Sequence, residues 1–325
     1  MRFSLRRPRV SPVDFRGAMR LPVVKRDLTA VPSFSGALTS GGRAQIQLPL
    51  REGETALRYH QVMITFAHAS MTLASIEAIR VKLNGENIWE LSLTQLDLIS
   101  RFDKRAALTA TGDTMTLDFE RMALENPAAR FSTAINGAAP TLASLLAQAG
   151  IDRVGRSGQS LNPVSDFTIE LQGAAGAPAI TLSARAIVSN ANPWQGSAII
   201  RRRRIDWVVG ATGEQALNIE LTQPTQDRWL NRLYIFATSA QMTAARLMVD
   251  NRVRHQRTAT ENSKIQSDIG IRAPQTGLYV LDFTEHGHHE NPILARGQGA
   301  IQLYATFGST GTYPIIVETL GRVTS

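Results

Sequence analysis

The sequence predicts an all-β protein of two tandem eight-stranded antiparallel jelly rolls, a double jelly roll, with short helical excursions. Three observations predict it: segments of the first half recur in order in the second half, many short stretches alternate apolar and polar residues, and helical patterns are few. A chain of 325 residues is long enough for two domains, and a hydrophobic content of 43% suffices for a core in each.

The internal duplication rests on matched segments. Residues 58–67 and 228–237 share the frame Arg, aromatic, six residues, Phe-Ala, at an offset of 170. Leu117-Asp118-Phe119 recurs as Leu281-Asp282-Phe283, at an offset of 164. Shorter echoes follow these segments: Met71-Thr72 and Met242-Thr243, then Glu125-Asn126-Pro127 and Glu290-Asn291-Pro292. Echoes in the same order at nearly one offset indicate two copies of one domain.

Alternation with period two predicts strands that bury one face on a core. It occurs at 45–50, 115–119, 167–171, 180–186, 217–221, 279–283 and 301–307. The turns between strands have suitable residues. Asn84-Gly85 predicts a tight hairpin, and Gly-rich runs at 173–176 and 308–311 predict the connection of the last two strands in each copy. Short strands separated by such turns are typical of sandwiches and barrels.

Three short helices are predicted. Leu96, Ile99 and Phe102 have helical spacing within 93–102, behind Ser92 or Thr94 as the cap. Residues 141–149 are rich in Ala and Leu and end before Gly150. Residues 260–269 match the first helix in position, and we expect Ile265 and Ile269 to form their buried face.

Three regions follow from these patterns. We expect a basic N-terminal arm at 1–30, a first jelly roll at 31–192 and a second at 193–325. The first copy holds an additional segment, at about 131–165, before its last strands. The boundary falls within 189–200, because Ser189-Asn190-Ala191-Asn192-Pro193 has the composition of a linker.

Charge is concentrated in the arm. Residues 1–27 contain eight Lys or Arg and two Asp, a net charge of +6 of the +8 in the whole chain. A positive segment outside both domains favours binding to anionic phosphate, either of lipid headgroups or of a packaged genome, over a solvated tail without a partner. The arginines expected to make this contact are Arg2, Arg6, Arg7, Arg9, Arg16 and Arg20. The arm has no apolar core of a secretory signal, and no stretch reaches the roughly 18 apolar residues of a spanning helix.

Arg201 to Arg204 form a second basic run. Side chains of consecutive strand residues point to opposite faces, so the four cannot bind one ligand together. We expect an exposed linker or an ion-pair site between subunits rather than a nucleic-acid site, since aromatic residues do not interleave with the arginines.

Catalytic motifs are absent from the sequence, and no residue is assigned a catalytic or cofactor-binding role. There are no cysteines, which excludes disulfides, thiolate metal sites and thiol nucleophiles. His286, His288 and His289 precede Glu290 and are the candidate metal ligands of a cupin-like metalloenzyme. The spacing to Glu290 is too short for that motif, so a polar loop is favoured and no metal is expected.

The duplicated pattern resembles the double jelly-roll major capsid proteins of tailless, membrane-containing icosahedral phages, the corticovirus-like type in particular. The resemblance lies in a strand, an Asn-Gly turn, a strand and a short helix at residues 79–88 and 96–102. The opening Pro32-Ser33-Phe34-Ser35 with Gly41-Gly42 adds to it. It covers about residues 30–325.

The resemblance implies a structural role in a virion capsid, assembled in the host cytoplasm, and not an enzyme. It implies homotrimers of pseudo-hexagonal outline, contacts with neighbouring capsomers, penton or spike and minor capsid proteins, and an anionic internal membrane, without sequence-specific binding of nucleic acid. Calcium is implied by the resemblance alone, since the sequence has no Asp-x-Asp-x-Asp loop.

One further interpretation stays open. A tandem β-sandwich could also be a binding module that recognises a glycan or receptor, and that function requires aromatic residues on loops. The tryptophans lie mostly in strand patterns, which favours a place in the cores: Trp89, Trp194, Trp207 and Trp229.

Overall fold

The structure is a computed structural model, which describes residues 27–52, 55–68, 70–108, 114–120, 134–137, 164–190, 199–219, 227–285, 293–294 and 300–321. The arm residues 1–26, the predicted helix at 141–149, Trp194, the histidine segment 286–290 and both Glu-Asn-Pro echoes lie outside these ranges. No helix among the described residues is long and apolar enough to span a membrane.

The first half of the described chain contains ten strands and one α-helix. In chain order they are β1 (Asp27–Ala30), β2 (Arg43–Gln47), β3 (Arg51–Glu52), β4 (Thr55–Ala67), β5 (Ile76–Leu83), β6 (Glu86–Leu91), α1 (Leu93–Phe102), β7 (Thr114–Asp118), β8 (Ile135–Asn136), β9 (Phe167–Gly173) and β10 (Thr181–Asn190). A single 3-10 turn, Leu73–Ser75, precedes β5.

The described part of the second half contains nine strands and one α-helix. They are β11 (Ile199–Val209), β12 (Gly213–Asn218), β13 (Asp227–Ile235), β14 (Met242–Val249), β15 (Arg252–Thr258), α2 (Ala259–Ile269), β16 (Tyr279–Asp282), β17 (Ile293–Leu294), β18 (Ile301–Phe307) and β19 (Gly311–Gly321).

The two halves have the same strand topology. In the first half β10 lies between β1 and β4, and β7 and β8 pair with the far side of β4, while the facing sheet has the order β2-β9-β5-β6. In the second half the orders are β11-β19-β13, followed by β16 and β17, and β12-β18-β14-β15. Both are the strand order of a jelly roll, so the predicted double jelly roll is confirmed.

The two jelly rolls share a sheet. Edge strand β6 of the first pairs in parallel with β11 of the second, with Trp89 opposite Arg202. The sheet β2-β9-β5-β6 therefore continues into β11-β19-β13-β16, giving nine strands with β17. The apolar core of the first jelly roll also continues across this junction, which we call the seam, onto Tyr234, Val280 and Ile316. A separate apolar cluster fills the second jelly roll.

Local sequence signals explain several elements. Asn84 and Gly85 both have positive φ, 50° and 78°, which is the backbone of the predicted hairpin turn between β5 and β6. Ser92 caps α1, since its hydroxyl accepts from the Gln95 backbone while the Gln95 side chain accepts from the Ser92 N–H. Leu96, Ile99 and Phe102 are buried, as predicted, at 2% exposure or less.

Helix α2 differs from the prediction in its buried face. Thr258 caps it, but Ile265 and Ile269 are only half-buried. The buried residues are Asn262 and Gln266, whose side-chain amides both donate to the carbonyl of Val280, at 2.8 and 2.9 Å. The hydrophobic pattern fails here because the helix covers the end of a strand whose backbone acceptor needs partners.

The duplication is confirmed, but one echo is shifted. Both β4 and β13 contain a bulge opposite the last strand, at His60 and at Asn231. The backbone oxygens of these two residues accept from Phe119 and Phe283, the equivalent ends of the Leu-Asp-Phe echoes. The structural offset is therefore 171 rather than the 170 of the Arg-aromatic frame.

One smaller prediction about the copies is wrong, and a second concerns the additional segment. Met71-Thr72 precedes the 3-10 turn whereas Met242-Thr243 begins β14, so these pairs are not equivalent. Residues 134–137, placed within the insertion, include β8, which pairs with β4 as β17 pairs with β13. Residues 134–137 therefore have a counterpart in the second copy, and the bounds of the additional segment stay a prediction.

Candidate functional site

The seam between the jelly rolls is the candidate functional site. Trp89 lies in β6 and is completely buried. Its indole N–H donates to the carbonyl of Ile200 in β11, at 2.7 Å. The guanidinium carbon of Arg202 lies 4.3 Å from the centroid of the Trp89 ring, a cation–π distance. One aromatic side chain of the first jelly roll thus contacts both the backbone and a charge of the second.

Arg202 begins a chain of buried polar contacts. Its Nε donates to Oε2 of Glu318 at 3.0 Å, and both residues are more than 90% buried. The hydroxyl of Tyr234 donates to the same Glu318 oxygen at 3.3 Å and accepts from Nη1 of Arg232 at 2.9 Å. These residues belong to β11, β19 and β13, so the contacts connect three neighbouring strands on the face that meets the first jelly roll.

Asp103, at the end of α1, extends the chain across the seam. Its carboxylate accepts from Nη1 of Arg232 at 3.0 and 3.1 Å and lies 3.3 Å from Nη1 of Arg272. Both arginines also pair with Asp282, at 3.0 and 2.7 Å. We call these eight residues the seam cluster: Trp89, Asp103, Arg202, Arg232, Tyr234, Arg272, Asp282 and Glu318.

Backbone contacts accompany the side chains. The N–H of Ala273 donates to the carbonyl of Phe102, at 2.9 Å, and the ammonium of Lys104 donates to the carbonyl of Gly270. Phe102 also packs edge-on against Tyr234, with ring centroids 6.4 Å apart. The end of α1 is therefore fixed against the segment that follows α2.

Electrostatics explain why the cluster holds its charges. Burial alone lowers the pKa of Arg232, but the carboxylates of Asp103 and Asp282 raise it well above its usual value. Burial lowers the pKa of Arg202. Breaking such a pair leaves an uncompensated buried charge, which costs about 3–5 kcal/mol. Displacement of one jelly roll against the other would break several pairs at once, so the cluster specifies a single relative orientation.

A cavity of about 200 Å³ lies beside the cluster. It is lined by charges from both jelly rolls, among them Asp118 and Arg105 of the first and Arg202 and Arg232 of the second. Arg105 pairs with Asp118 at 2.6 Å. Burial raises the pKa of Asp118 to about 6, although Arg105 opposes the shift. Since the wall charges are of both signs and already paired, the cavity has no excess of charge for a ligand.

A second buried polar group lies inside the first jelly roll. At the β4 bulge, the His60 ring bonds Glu120 through Nδ1 and the Ser189 hydroxyl through Nε2, the latter at 2.6 Å. The groups are those of a Ser-His-acid triad, but each residue is at most 5% exposed. The arrangement satisfies the polar groups that the bulge buries.

The prediction for the arginine run is partly wrong. The side chains do alternate in direction, but Arg201 and Arg202 are buried, so this part of the run is not an exposed linker, whereas Arg203 is half-buried and Arg204 is exposed. Arg201 pairs with Glu86 of the first jelly roll, at 2.5 and 3.1 Å, and Arg204 pairs with Asp206. The run fails as a surface signal because its acidic partners are distant in sequence.

The remaining site predictions have separate outcomes. His286, His288 and His289, and the arginines of the arm, lie outside the described residues. Within the described ranges, no group of three or more His, Asp or Glu is placed to hold a metal. Trp89 and Trp207 are core residues, as expected, whereas Trp229 is 39% exposed, which corrects its assignment to the core.

Sequence reasoning missed most of the seam cluster. A signal was present, since Arg232 and Glu318 interrupt the apolar strands 229–235 and 313–320. Charged residues are almost never buried unless they are paired, so each implied a partner. The sequence does not show which acidic residue pairs with which arginine.

Comparisons with known proteins agree with this architecture. Residues 28–189 match the family model of the viral coat protein P2 N-terminal domain, and residues 199–323 match that of the viral coat protein P2 C-terminal domain. No curated protein sequence matches the chain.

Solved structures show the same fold. The major capsid protein P2 of bacteriophage PM2 is 18% identical, with a TM-score of 0.74 over 92% of this chain and 98% of that one. A chain in the atomic structure of Sulfolobus turreted icosahedral virus is 11% identical, with a TM-score of 0.58 over 92% of this chain and 91% of that one. A chain in the capsid structure of the virus PBCV-1 is 9% identical, with a TM-score of 0.54 over 92% of this chain and 94% of that one.

Proposed function

Because the chain belongs to the viral coat protein P2 family, it is a viral major capsid protein of the virion shell, and we propose that it assembles as a trimer of pseudo-hexagonal outline. The observation that carries the proposal is the seam, which joins two jelly rolls of equal topology into one rigid unit. Three such units present six similar lobes, a shape that tiles an icosahedral facet.

The shell contacts are made by copies of the chain with one another. Neighbouring trimers, penton or spike proteins and minor capsid proteins are the further partners in the proposal, with assembly in the host cytoplasm. The solved capsid structures that share this fold support a role in self-association. The proposed role is structural, with no reaction catalysed and no cofactor, and metal analysis of purified virions tests the calcium that the resemblance implies.

We place the basic arm on the inner side of the shell, against an anionic internal membrane. Its net charge of +6 supports this, because each Lys or Arg near an anionic surface contributes about 1 kcal/mol. The second candidate function, a glycan-binding or receptor-binding module, has one observation in its favour, the 39% exposure of Trp229.

Light scattering of the purified full chain tests the assembly. We expect a mass of three 35.5 kDa chains over a range of protein concentration and salt. A particle of one chain under all these conditions would contradict the capsid assembly and favour the binding module.

A further inference from the structure

The two jelly rolls leave complementary strand edges open. β6 and β15 are equivalent strands, since each ends its sheet and leads directly into a helix. β6 pairs with β11, whereas β15 pairs with β14 alone among the described residues. β1 is equivalent to β11, and in the described chain it pairs only with β10. One edge of each kind is thus used within the chain, and one of each kind has no second strand partner among the described residues.

His255 occupies the position in the second jelly roll that Trp89 occupies in the first. Trp89 lies opposite Val81 beside a bulge between β5 and β6, and His255 lies opposite Leu247 beside a bulge between β14 and β15. Their ring neighbours match as well. Trp89 packs on Phe119 at 5.2 Å and His255 packs on Phe283 at 6.3 Å, and these phenylalanines end the duplicated Leu-Asp-Phe segment.

The His255 ring is unsatisfied in the single chain. The residue is only 8% exposed, and neither ring nitrogen has a hydrogen-bond partner among the described residues. Burial lowers the pKa of His255 to about 4, so the ring is neutral at pH 7 and carries one N–H donor. At the equivalent position, the Trp89 N–H donates across the seam to the backbone of β11. A buried donor without an acceptor is destabilising, because it has lost its hydrogen bond to water.

The open positions differ from the seam in chemistry. The register of β1 with β10 makes Leu28 equivalent to Arg202 and Ile187 equivalent to Glu318. Counting from the helix caps makes Ile269 equivalent to Asp103. Leu28 is 42% exposed, and both isoleucines are half-buried. At the open edges, apolar residues therefore stand where the seam has ion-paired residues.

We propose that β15 of one copy pairs in parallel with β1 of a second copy, with Leu28 opposite His255, so that the second copy covers the unsatisfied imidazole. This seam rests on the proposed trimer and specifies its contact. Repeated three times, it alternates with the seam inside each chain and closes a ring of six jelly rolls. Burial of the apolar side chains at the contact favours the association.

Engineered disulfides test the register, because the chain has no cysteine of its own. Leu28 opposite His255 places Thr29 opposite Gln256 one residue further along. Neighbouring strands lie about 4.8 Å apart, within the Cα separation of a disulfide. The test variant is Thr29→Cys with Gln256→Cys. A matched control, Thr29→Cys with Arg252→Cys, moves the second thiol by about 13 Å along the same strand. Glu90→Cys with Arg203→Cys, at the equivalent register within the chain, is the positive control.

We expect the oxidised test variant to form covalent dimers and trimers at least about tenfold more than the shifted control, reversibly with reductant. A wild-type trimer whose test variant does not cross-link, while the positive control does, would overturn the proposed seam and leave the trimer intact. A monomeric wild type would instead refute the proposed assembly. Amide exchange of the unmodified protein is the second measurement. Residues 253–257 should exchange more slowly in the trimer than after dissociation, and equal exchange would contradict the pairing.

Discussion

Arg202 of the second jelly roll lies over the indole of Trp89 of the first, with the guanidinium carbon 4.3 Å from the ring centroid. The two residues form the register pair that joins β6 to β11. Arg202 is also paired with Glu318, so its orientation is fixed from two sides. This arrangement makes the two jelly rolls one rigid unit.

Removing Glu318 should destabilise the chain strongly. Glu318→Ala leaves the Arg202 charge buried without its carboxylate, which we expect to lower the free energy of unfolding by about 3–5 kcal/mol. Urea unfolding of the purified protein measures it. The matched control is the double variant Arg202→Leu with Glu318→Ile, which introduces the residues of the equivalent positions 28 and 187. The double variant should be more stable than Glu318→Ala. A loss in Glu318→Ala well below this range would contradict the role of Glu318 as the buried partner of Arg202.

The Trp89 hydrogen bond should contribute separately from its packing. Trp89→Phe keeps an aromatic ring but leaves the carbonyl of Ile200 without its donor, and we expect a loss of about 1–3 kcal/mol in the free energy of unfolding. Trp207→Phe is the control, because Trp207 is buried in the second core against Phe307 and lies away from the seam. Domain motion detected by small-angle X-ray scattering should increase in the Trp89 variant alone. Equal behaviour of the two variants would show that the seam hydrogen bond is unimportant.

Asp118 should give the stability a dependence on pH. Burial raises its pKa from 3.8 to about 6, so the folded state holds the proton more tightly than the unfolded state does. The contribution of Asp118 to stability therefore falls as pH rises from about 4 to about 6 and is constant above that. Asp118→Asn should gain stability relative to wild type over this window, as measured by urea unfolding at several pH values. The control Asp206→Asn removes an exposed carboxylate. A difference from wild type that is the same at pH 4 and pH 7 would refute the assignment.

The His60 group should act in stability and not in catalysis. Glu120→Ala removes the buried partner of Nδ1, and we expect a loss of about 1–3 kcal/mol because the ring donor is left unsatisfied. Ser189→Ala removes a hydroxyl that bonds the His60 ring and, at 3.5 Å, the carbonyl of Asn190, and it should cost about 1 kcal/mol. Thermal unfolding of both variants measures which of them loses more stability. If Ser189→Ala were the more damaging of the two, the interpretation would be wrong.

The arm should bind anionic lipid through charge. Replacing its six arginines with Gln should weaken binding to phosphatidylglycerol vesicles by more than about 100-fold at low salt, since each contributes about 1 kcal/mol. Vesicle co-sedimentation measures it, with phosphatidylcholine vesicles as the neutral control. The residues replaced are Arg2, Arg6, Arg7, Arg9, Arg16 and Arg20. Retained vesicle binding would contradict the lipid role, and binding to single-stranded nucleic acid alone would assign the arm to the genome.

The fold could be predicted from sequence because its signals are local. The Asn84-Gly85 turn, the Ser92 cap and the alternation within 301–307 each depend on residues near one another in the chain. The duplication also helped to predict the order of the strands, because a strand pattern that was ambiguous in one copy could be compared with its repeat in the other. Helix α2 was found for the same reason, although its polar buried face was not.

The seam could not be predicted because its contacts are distant. Arg202 and Glu318 are separated by 116 residues, and Arg232 and Asp103 by 129. In the sequence, Arg201 and Arg202 belong to a basic run and look like a solvated surface. Their burial depends on a parallel pairing between the edges of two separate sheets, which no local pattern encodes. The bulges at His60 and Asn231 could not be predicted either, because one extra residue shifts the strand register without any turn residue in the sequence.

Electron microscopy of the purified assembly tests the central claim most directly. If two jelly rolls form one rigid unit and three units close a ring, class averages will show particles with six lobes in a pseudo-hexagonal outline, and shells built from them. Filaments, or compact particles of a single chain with two lobes, would contradict the account.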